Sequence, residues 1–187
     1  MRFILASKSP RRRELLSRII DNFEIIVSDA DESLPEGLSP DRCSEVIAVR
    51  KGELVCRNAG DDAVVISSDT MVELDGRILG KPHSVREAHE MLSMLSGKWH
   101  NVHTGVAIHY KGRVFSGSDT TRVEFRTLDD SEIDAYIATG EPMDKAGAYG
   151  IQGLGGRFVL RYDGSFETVV GLSTSLTRRL LSEAGVL

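Results

Sequence analysis

Apolar residues follow two periods along this chain, and the shorter period predicts the strands. Residues 63–68 (AVVISS) form a continuous apolar run between aspartates, which is typical of a strand covered on both faces. Residues 99–126 alternate between apolar and polar positions, which predicts two strands, 105–110 and 114–125, joined at 111–113. The same reasoning predicts a strand at 23–28 and hairpins at 71–79, around Asp75-Gly76, and at 158–170.

The longer period marks helices whose starts carry capping residues. Apolar positions at 15, 16, 19 and 20 recur at helical spacing after Ser9-Pro10, an N-cap followed by proline at the first helical position. A helix should therefore begin at about Pro10. Further helices are predicted at 40–58, at 84–95 and 129–138 with a capping box each, and from about Ser173 towards the C-terminus.

Strands and helices are mixed along the whole chain, with hairpins as well as crossovers between strands. This order predicts a mixed sheet and a fold of the α/β or α+β class. With 187 residues, of which 41% are hydrophobic, the chain can bury a full core. We therefore expect a single domain over residues 1–187, with a second lobe left open as an option.

Charge and hydropathy exclude several classes of partner. A net charge of −5 argues against a nucleic acid polymer, because proteins that bind one usually carry a broad basic face. No apolar run reaches the ~18 residues that a transmembrane helix needs, and residues 1–20 carry too many charges for a signal peptide. Cys43 and Cys56 lie too far apart in one predicted helix to form a disulfide. A cytoplasmic protein without a membrane partner is the expectation.

Arg11, Arg12 and Arg13 stand at the start of the first predicted helix, where cations are unfavourable. A helix N-terminus carries partial positive charge and unpaired N–H groups, so a cation there loses a few tenths to ~1 kcal/mol relative to an anion. A solvated, charged turn is one explanation. A bound anionic ligand would reverse the sign, and Arg12 is better placed for one than Arg13, because its spacing to Leu15 and Leu16 puts it at the rim of the apolar stripe.

Four other charged residues are candidates for an anion and metal site. Asp69 directly follows the buried apolar run, and a carboxylate at the carboxyl end of a strand is held rigidly enough to bind a metal or orient a water; a cap or turn is the alternative. Lys81 precedes Pro82, which holds it in an extended conformation. Lys51, on a helix, and Glu32, in an acidic loop, could equally be solvated.

The sequence lacks the motifs of several enzyme classes. The glycines at 147–156 match neither the dinucleotide-binding pattern G-x-G-x-x-G nor a P-loop, and no G-x-S-x-G nucleophile elbow occurs. His100 and His103 have an odd spacing in a predicted strand, which sends them to opposite faces. A redox dinucleotide enzyme, a kinase and a serine hydrolase are therefore disfavoured.

Four motifs together resemble those of the Maf family. They are A-S-x-S-P-R-R-x-x-L-L at 6–16, S-D-T-x-V at 68–72, G-K-P at 80–82 and E-P-x-D-K-A-G-A-Y-G-I-Q-G-L-G-G at 141–156. The resemblance implies a nucleoside triphosphate pyrophosphatase with a fold similar to the inosine triphosphate pyrophosphatases: an elongated mixed sheet flanked by helices, with a cleft between two lobes. The family usually has proline where this chain has Ser173, a residue that can cap the last helix.

The resemblance also implies roles for individual residues. Asp69 would accept a proton and, with Glu32, would bind Mg²⁺ or Mn²⁺. Arg11, Thr70 and Gln152 would influence the choice of substrate. The phosphate and metal site would be lined by Ser7, Ser9, Arg12, Glu32, Lys51 and Lys81. Arg11, Arg12, Lys51 and Lys81 would then balance the roughly four negative charges of a nucleoside triphosphate. A bound triphosphate would explain why arginines stand at the start of a helix.

The expected reaction is attack of a water on the α-phosphorus, which gives the monophosphate and pyrophosphate. The segment D-K-A-G-A-Y-G-I-Q-G resembles the branch of the family that acts on dTTP and UTP. Alternatives are a 7-methyl-GTP pyrophosphatase, an enzyme for modified pyrimidines such as 5-methyl-UTP, and a non-catalytic nucleotide sensor linked to septum formation and cell division. A small nucleotide is the expected partner, and a homodimer is left open.

Overall fold

A computed structural model of the protein describes residues 1–60 and 62–187. Within these residues, seven strands form one sheet, and helices connect and flank them. The elements are, in chain order, β1 (Arg2–Leu5), α1 (Pro10–Ser17), β2 (Glu24–Ile25), α2 (Pro40–Cys56), β3 (Ala63–Leu74), β4 (Arg77–Leu79), α3 (Val85–Leu95), β5 (Trp99–Tyr110), β6 (Arg113–Phe125), α4 (Asp130–Ile137), β7 (Val159–Asp163), α5 (Phe166–Val170) and α6 (Thr174–Glu183). Short 3₁₀ helices at Glu141–Asp144, Ala146–Ala148 and Leu154–Phe158 precede and enter β7. The predicted α/β class is confirmed.

The sheet is mixed, as the sequence predicts. Its strand order is β2-β1-β3-β5-β6-β7, and β4 pairs with β3 off this path. β1 runs parallel to both of its neighbours, with Ile4 opposite Glu24 on one side and Val65 on the other. β4 is antiparallel to β3, and β7 is antiparallel to β6. Parallel and antiparallel pairs therefore occur in one sheet.

The helix starts lie where their capping residues predict them. The Ser9 hydroxyl accepts from the Arg12 N–H, and the Asp129 side chain forms a complete capping box with Glu132. At α3 only half of the predicted box forms. The hydroxyl of Ser84 accepts from Glu87 N–H, but the Glu87 carboxylate accepts from the N–H of His83 instead of that of Ser84.

Several predicted elements differ from the structure. The strand predicted at 105–110 is longer and begins at Trp99 as β5. The strand at 23–28 shrinks to the two residues of β2, which pair only with the end of β1. The strand predicted at 63–68 continues as β3 to Leu74, and its last residues pair with β4 in the hairpin predicted at 71–79. The segment 158–170 is not a hairpin: β7 is followed by the helix α5, because Thr121 of β6 bonds to both the N–H and the carbonyl of Ser165 and turns the chain away from the sheet.

Within the described residues the chain divides into two compact units. The first unit comprises Met1–Thr70, Thr104–Asp119 and Gly171–Leu187, and the second comprises Met71–His103 and Thr120–Val170. A buried aliphatic cluster fills part of the first: Ile4, Ala6, Val55, Ala59, Ala63 and Val65. The second has an aromatic core in which rings meet edge to face: His100, Phe125, Tyr136, Tyr149 and Phe158. The single domain with a cleft between two lobes stays a prediction.

Two further expectations, about the cysteines and about membrane-spanning helices, can be compared with the structure. Cys43 and Cys56 are free thiols, as predicted. Among the helices of residues 1–60 and 62–187, none combines the length and the apolar surface that crossing a bilayer requires.

His100 is buried in the aromatic core of the second unit. It is 3% exposed, and its Nε2 lies 2.8 Å from the hydroxyl of Tyr149. Burial lowers the pKa of His100 to about 4, although a backbone hydrogen bond and the charge of Glu73 act in the opposite direction. The imidazole is therefore neutral in the folded protein at the pH values where an unfolded histidine titrates.

We expect this histidine to make stability depend on pH. His100 is protonated near pH 6.5 in the unfolded chain but only near its pKa of about 4 in the folded protein. The folded state therefore loses stability as the pH falls from about 6.5 to about 4. The contribution should be ~2 kcal/mol between about pH 7 and pH 5, above the range where most carboxylates titrate. Urea unfolding of wild type and His100→Gln at several pH values measures it. An identical pH slope in both proteins would contradict this account.

Candidate active site

Asp69 lies inside β3 and not after its end, which corrects the sequence-based placement. It is 9% exposed. The strand continues through polar residues because their side chains bond to other elements. Ser67 Oγ donates to the carbonyl of Ala48 at 2.7 Å, and Ser68 Oγ donates to the carbonyl of Gly171 at 2.9 Å. Asp69 is thus held on a paired strand with its neighbours fixed on both faces.

Lys51 reaches Asp69 because α2 packs directly on the sheet. A Cβ atom at Gly52 would lie 2.4 Å from His109 Cδ2 and 2.7 Å from Ser67 Oγ, so no larger residue fits at this contact. The next residue back along the helix is Lys51, whose Nζ donates to Asp69 Oδ1 at 2.5 Å. Lys51 is itself buried, which excludes the solvated helix lysine that the sequence left open.

Glu32 brings a second carboxylate to the same lysine. Its Oε1 lies 2.7 Å from Lys51 Nζ, and half of the side chain is exposed. The loop that carries Glu32 is tied to α2, since Arg50 Nη1 donates to the carbonyl of Ser33 at 2.8 Å. Glu32 is therefore half-exposed and at the same time paired with a buried lysine. Two carboxylates, one buried and one at the surface, converge on one cation.

This donor set fits a hard divalent cation that a substrate helps to bind. Mg²⁺ is commonly held by one or two carboxylates, with substrate phosphates and waters completing its octahedron. Among residues 1–60 and 62–187, no group of three or more His, Cys, Asp or Glu side chains could hold a metal ion. Glu32 and Asp69 alone cannot complete the coordination of a metal ion. They match a site in which two carboxylates hold the cation together with phosphate oxygens of the substrate.

Arg12 in the first turn of α1 is fixed by two partners. Its Nε donates to the carbonyl of Gly171 at 2.9 Å, and its Nη2 donates to Thr70 Oγ1 at 3.2 Å. Burial lowers the pKa of the Arg12 guanidinium, and the negative charges of Asp69 and Glu32 oppose that shift. The arginine therefore belongs to the same electrostatic group as the two carboxylates.

The remaining residues of the first motif shape the N-terminus of α1. Ser9 Oγ caps the helix by accepting from the Arg12 N–H at 3.4 Å. Ser7 is buried, and its Oγ accepts from the N–H of Ser9 at 3.2 Å. Arg11 is half-buried and Arg13 is exposed, in the order that their predicted positions on the helix suggest.

Lys81 and Gln152 lie in the second unit, and both are exposed. The N–H of Gly147 donates to the carbonyl of Gly80 at 3.0 Å, which joins the glycine-rich segment to the residue before Lys81. Within this unit the structure therefore brings the G-K-P motif and the glycine-rich motif together. Gln152 sits in a turn just before the last 3₁₀ helix.

Comparison with known proteins fits these motifs. The family of Maf-like proteins matches residues 2–184. The chain belongs to the Maf family. Proteins named dTTP/UTP pyrophosphatase are similar along the whole length: that of Thermococcus gammatolerans is 48% identical over 95% of this chain and 94% of the relative, and that of Bacillus velezensis is 48% identical over 99% and 97%. That of Clostridium tetani is 45% identical over 100% and 99%.

A solved structure of a nucleoside-triphosphatase / dITP/XTP pyrophosphatase from Mycobacterium abscessus is similar over 100% of this Maf chain and 98% of the other chain. The TM-score is 0.49 and the sequence identity is 15%. A similarity at this level bears on neither the fold nor the activity of the chain.

Ser173, where the Maf family usually has proline, caps α6 as expected. Its Oγ accepts from the N–H of Leu176 at 3.3 Å and donates to Asp119 Oδ2 at 2.7 Å. The helix start is thus preserved by a hydrogen bond in place of a proline ring.

Gly171 is a residue of the site that sequence reasoning missed. Its carbonyl accepts from both Arg12 and Ser68, so it joins α1 to β3. Its φ of 125° is a conformation that side chains rarely adopt, and a Cβ there would lie 3.4 Å from Arg12 Nε and from Thr70 Oγ1. Nothing in the sequence around Gly171 indicates that its carbonyl is an acceptor.

We expect Gly171→Ala to destabilise the protein by ~1–3 kcal/mol, because a φ of 125° strains the backbone of any residue with a side chain. Urea unfolding measures the change. Gly185→Ala is the matched control, since Gly185 also has a positive φ, of 68°, but a Cβ added there would meet no atom within 4 Å. Equal losses in the two variants would show that the backbone conformation of Gly171 costs no more than the left-handed one of Gly185, which would contradict this account.

Proposed function

We propose that this protein hydrolyses dTTP and UTP to the monophosphates and pyrophosphate. Relatives that are 45–48% identical over nearly the whole chain carry the name dTTP/UTP pyrophosphatase, which favours these nucleotides over 7-methyl-GTP. The observation that carries the proposal is the convergence of Asp69 and Glu32 on Lys51, with Arg12 in the same group. A protein that only sensed a nucleotide would have no use for a buried carboxylate beside its phosphate-binding cations.

Asp69 is the general base of the proposed reaction. One carboxylate oxygen, Oδ1, stays on Lys51, and the other can accept a proton from water. The water oxygen forms a bond to the α-phosphorus, the bond from this phosphorus to the bridging oxygen breaks, and pyrophosphate leaves with that oxygen. The proton ends on Asp69. No covalent enzyme intermediate is needed.

Cations of the first unit bind the phosphates in this proposal. Of the three N–H bonds of the Lys51 ammonium, Glu32 and Asp69 take two, and the third can donate to a phosphate oxygen. Arg12 is pre-organised by Gly171 and Thr70, so little side-chain freedom is lost when it binds an anion. Arg11, Ser7 and Ser9 stand at the same helix N-terminus, and Lys81 is a further phosphate-binding residue of the proposal.

The proposed cofactor is Mg²⁺ or Mn²⁺, held by Glu32 and Asp69 together with the substrate. When bound, such a cation neutralises charge that develops on the phosphate oxygens. The protein's own part is to keep two carboxylates close together against their mutual repulsion, and Lys51 does this by donating to both.

Gln152 reads the base in this proposal. A glutamine amide carries both a donor and an acceptor, which match the O4 and N3–H edge shared by uracil and thymine. Cytosine presents the opposite pattern on that edge. Arg11 and Thr70 influence substrate choice further. A cytoplasmic location, a homodimer and a role in septum formation stay predictions.

Removing the carboxylate at position 69 should reduce kcat for UTP with Mg²⁺ by at least ~100-fold, the usual share of a general base. Asp69→Asn is the variant, because its amide keeps the size and loses the basicity. Asp130→Asn, at a side chain that is 87% exposed, is the control and should keep full turnover. Near wild-type turnover by folded Asp69→Asn would disprove the assignment.

Gln152→Glu should raise KM for UTP and dTTP by ~10-fold or more, because the carboxylate cannot donate to O4 and is left opposite an acceptor. Steady-state kinetics with UTP, dTTP and CTP measure the effect, and CTP should lose less than the other two. An equal loss for all three nucleotides would mean that Gln152 has only a structural role.

A further inference from the structure

Glu141 directs its carboxylate at the backbone of the glycine-rich segment. It begins the 3₁₀ helix Glu141–Asp144, and its two oxygens accept hydrogen bonds from both residues that open the last 3₁₀ helix. Oε2 accepts from the N–H of Leu154 at 2.9 Å, and Oε1 accepts from the N–H of Gly155 at 3.2 Å. A charged acceptor on backbone N–H groups forms a stronger hydrogen bond than a neutral one.

Tyr136 extends this contact to the other end of the segment. Its hydroxyl donates to Glu141 Oε1 at 2.8 Å and accepts from the N–H of Gly150 at 3.2 Å, and the residue is fully buried. Burial and the bond to Glu141 raise the pKa of Tyr136, so it remains a donor. Burial acts to raise the pKa of Glu141 as well, but the N–H of Leu154 and the Tyr136 hydroxyl lower it, so it remains a charged acceptor.

Lys145 binds the backbone of Glu141 itself and lies beside the glycine-rich segment. Its Nζ donates to the carbonyl of Glu141 and to Asp144 Oδ1, both at 2.7 Å. A Cβ at Gly150 would lie 2.7 Å from Lys145 Cε, and one at Gly153 would lie 2.4 Å from Glu141 Oε1. These two glycines are therefore the points where the backbone passes directly over the two charged side chains.

We propose that Glu141, with Tyr136 and Lys145, positions Gln152 and is a specificity-determining residue that acts without touching the nucleotide. The backbone is held on both sides of the glutamine, by Tyr136 at Gly150 before it and by Glu141 at Leu154 after it. Gln152 is exposed, so its direction is set by the backbone that carries it. Base discrimination needs its amide placed to within about half an ångström.

This inference rests on the proposed function, because it assigns base reading to Gln152. It also gives the Asp-Lys pair of the motif a place: Lys145 binds both Asp144 and the backbone of Glu141, and its side chain lies beside Gly150.

Glu141→Gln tests the proposal, since the amide nitrogen cannot accept the bonds that a carboxylate oxygen accepts. KM for UTP and dTTP should rise by ~10-fold while kcat stays within about two-fold, and the preference for UTP over CTP should fall by a similar factor. Glu132→Gln is the matched control, because Glu132 binds Arg126 and caps α4 instead of holding this segment. It should change stability alone.

Combination with Gln152→Ala separates positioning from general stabilisation. If Glu141 acts through Gln152, Glu141→Gln should cost no more than about two-fold in kcat/KM once the glutamine side chain is gone. A full additive loss in the double variant, or an equal loss for UTP and CTP in the single one, would overturn the proposal.

Hydrogen exchange of the nucleotide-free protein tests, independently of activity, whether Glu141 and Tyr136 anchor the segment 150–155. Glu141→Gln and Tyr136→Phe are the anchor variants. Amides within 150–155 should exchange ~10-fold faster or more in Glu141→Gln and in Tyr136→Phe, and at the wild-type rate in Glu132→Gln. Unchanged exchange in both anchor variants would overturn the inference. Tyr136→Phe decides the matter if Glu141→Gln does not fold. Faster exchange in the anchor variants, together with a wild-type protein that hydrolyses neither UTP nor dTTP, would refute the proposed function and leave the anchor intact.

Discussion

Lys51 and Asp69 form a buried ion pair, and its requirements constrain how α2 packs on β3. A charge taken out of water is costly unless a partner compensates it, so the helix must approach the strand closely enough for the 2.5 Å contact. Gly52 permits that approach. Glu32 joins from a loop that Arg50 ties to the same helix. The position of one lysine thus links the helix, the strand and the loop.

Stability alone does not explain such a pair. Buried ion pairs can often be replaced by apolar residues without loss, because desolvation offsets much of the attraction. Here a second carboxylate, an arginine held by Gly171 and a helix N-terminus gather at the same place. A site that acts on phosphates needs such fixed charges, and apolar residues cannot replace them there. Charges already in place stabilise the charge of the transition state without reorganisation during the reaction.

Local chemistry made much of the fold predictable from the sequence. Ser9 and Asp129 marked their helix starts because a cap needs only neighbouring residues. The bonds that hold Ser67 and Ser68 inside β3 could not be predicted, because their partners Ala48 and Gly171 are distant in sequence. The helix α5 was missed for the same reason, since Thr121 of β6 directs the chain there.

The site was predictable only in part. Asp69 and Arg12 could be singled out by position, whereas Lys51 and Glu32 had no distinguishing pattern and depended on the family resemblance. Glu141 and Gly171 escaped because their partners are backbone groups, which a sequence does not display. Charged side chains of a site can be proposed from a sequence. The main-chain groups that hold them in place become known only from a structure.

The central claim is that water, activated at Asp69, attacks the α-phosphorus. Hydrolysis of UTP in H₂¹⁸O with Mg²⁺, followed by mass spectrometry of both products, tests it most directly. The account predicts one ¹⁸O atom in UMP and none in pyrophosphate. Label in pyrophosphate, or release of UDP and labelled inorganic phosphate, would place the attack on another phosphorus and contradict the account.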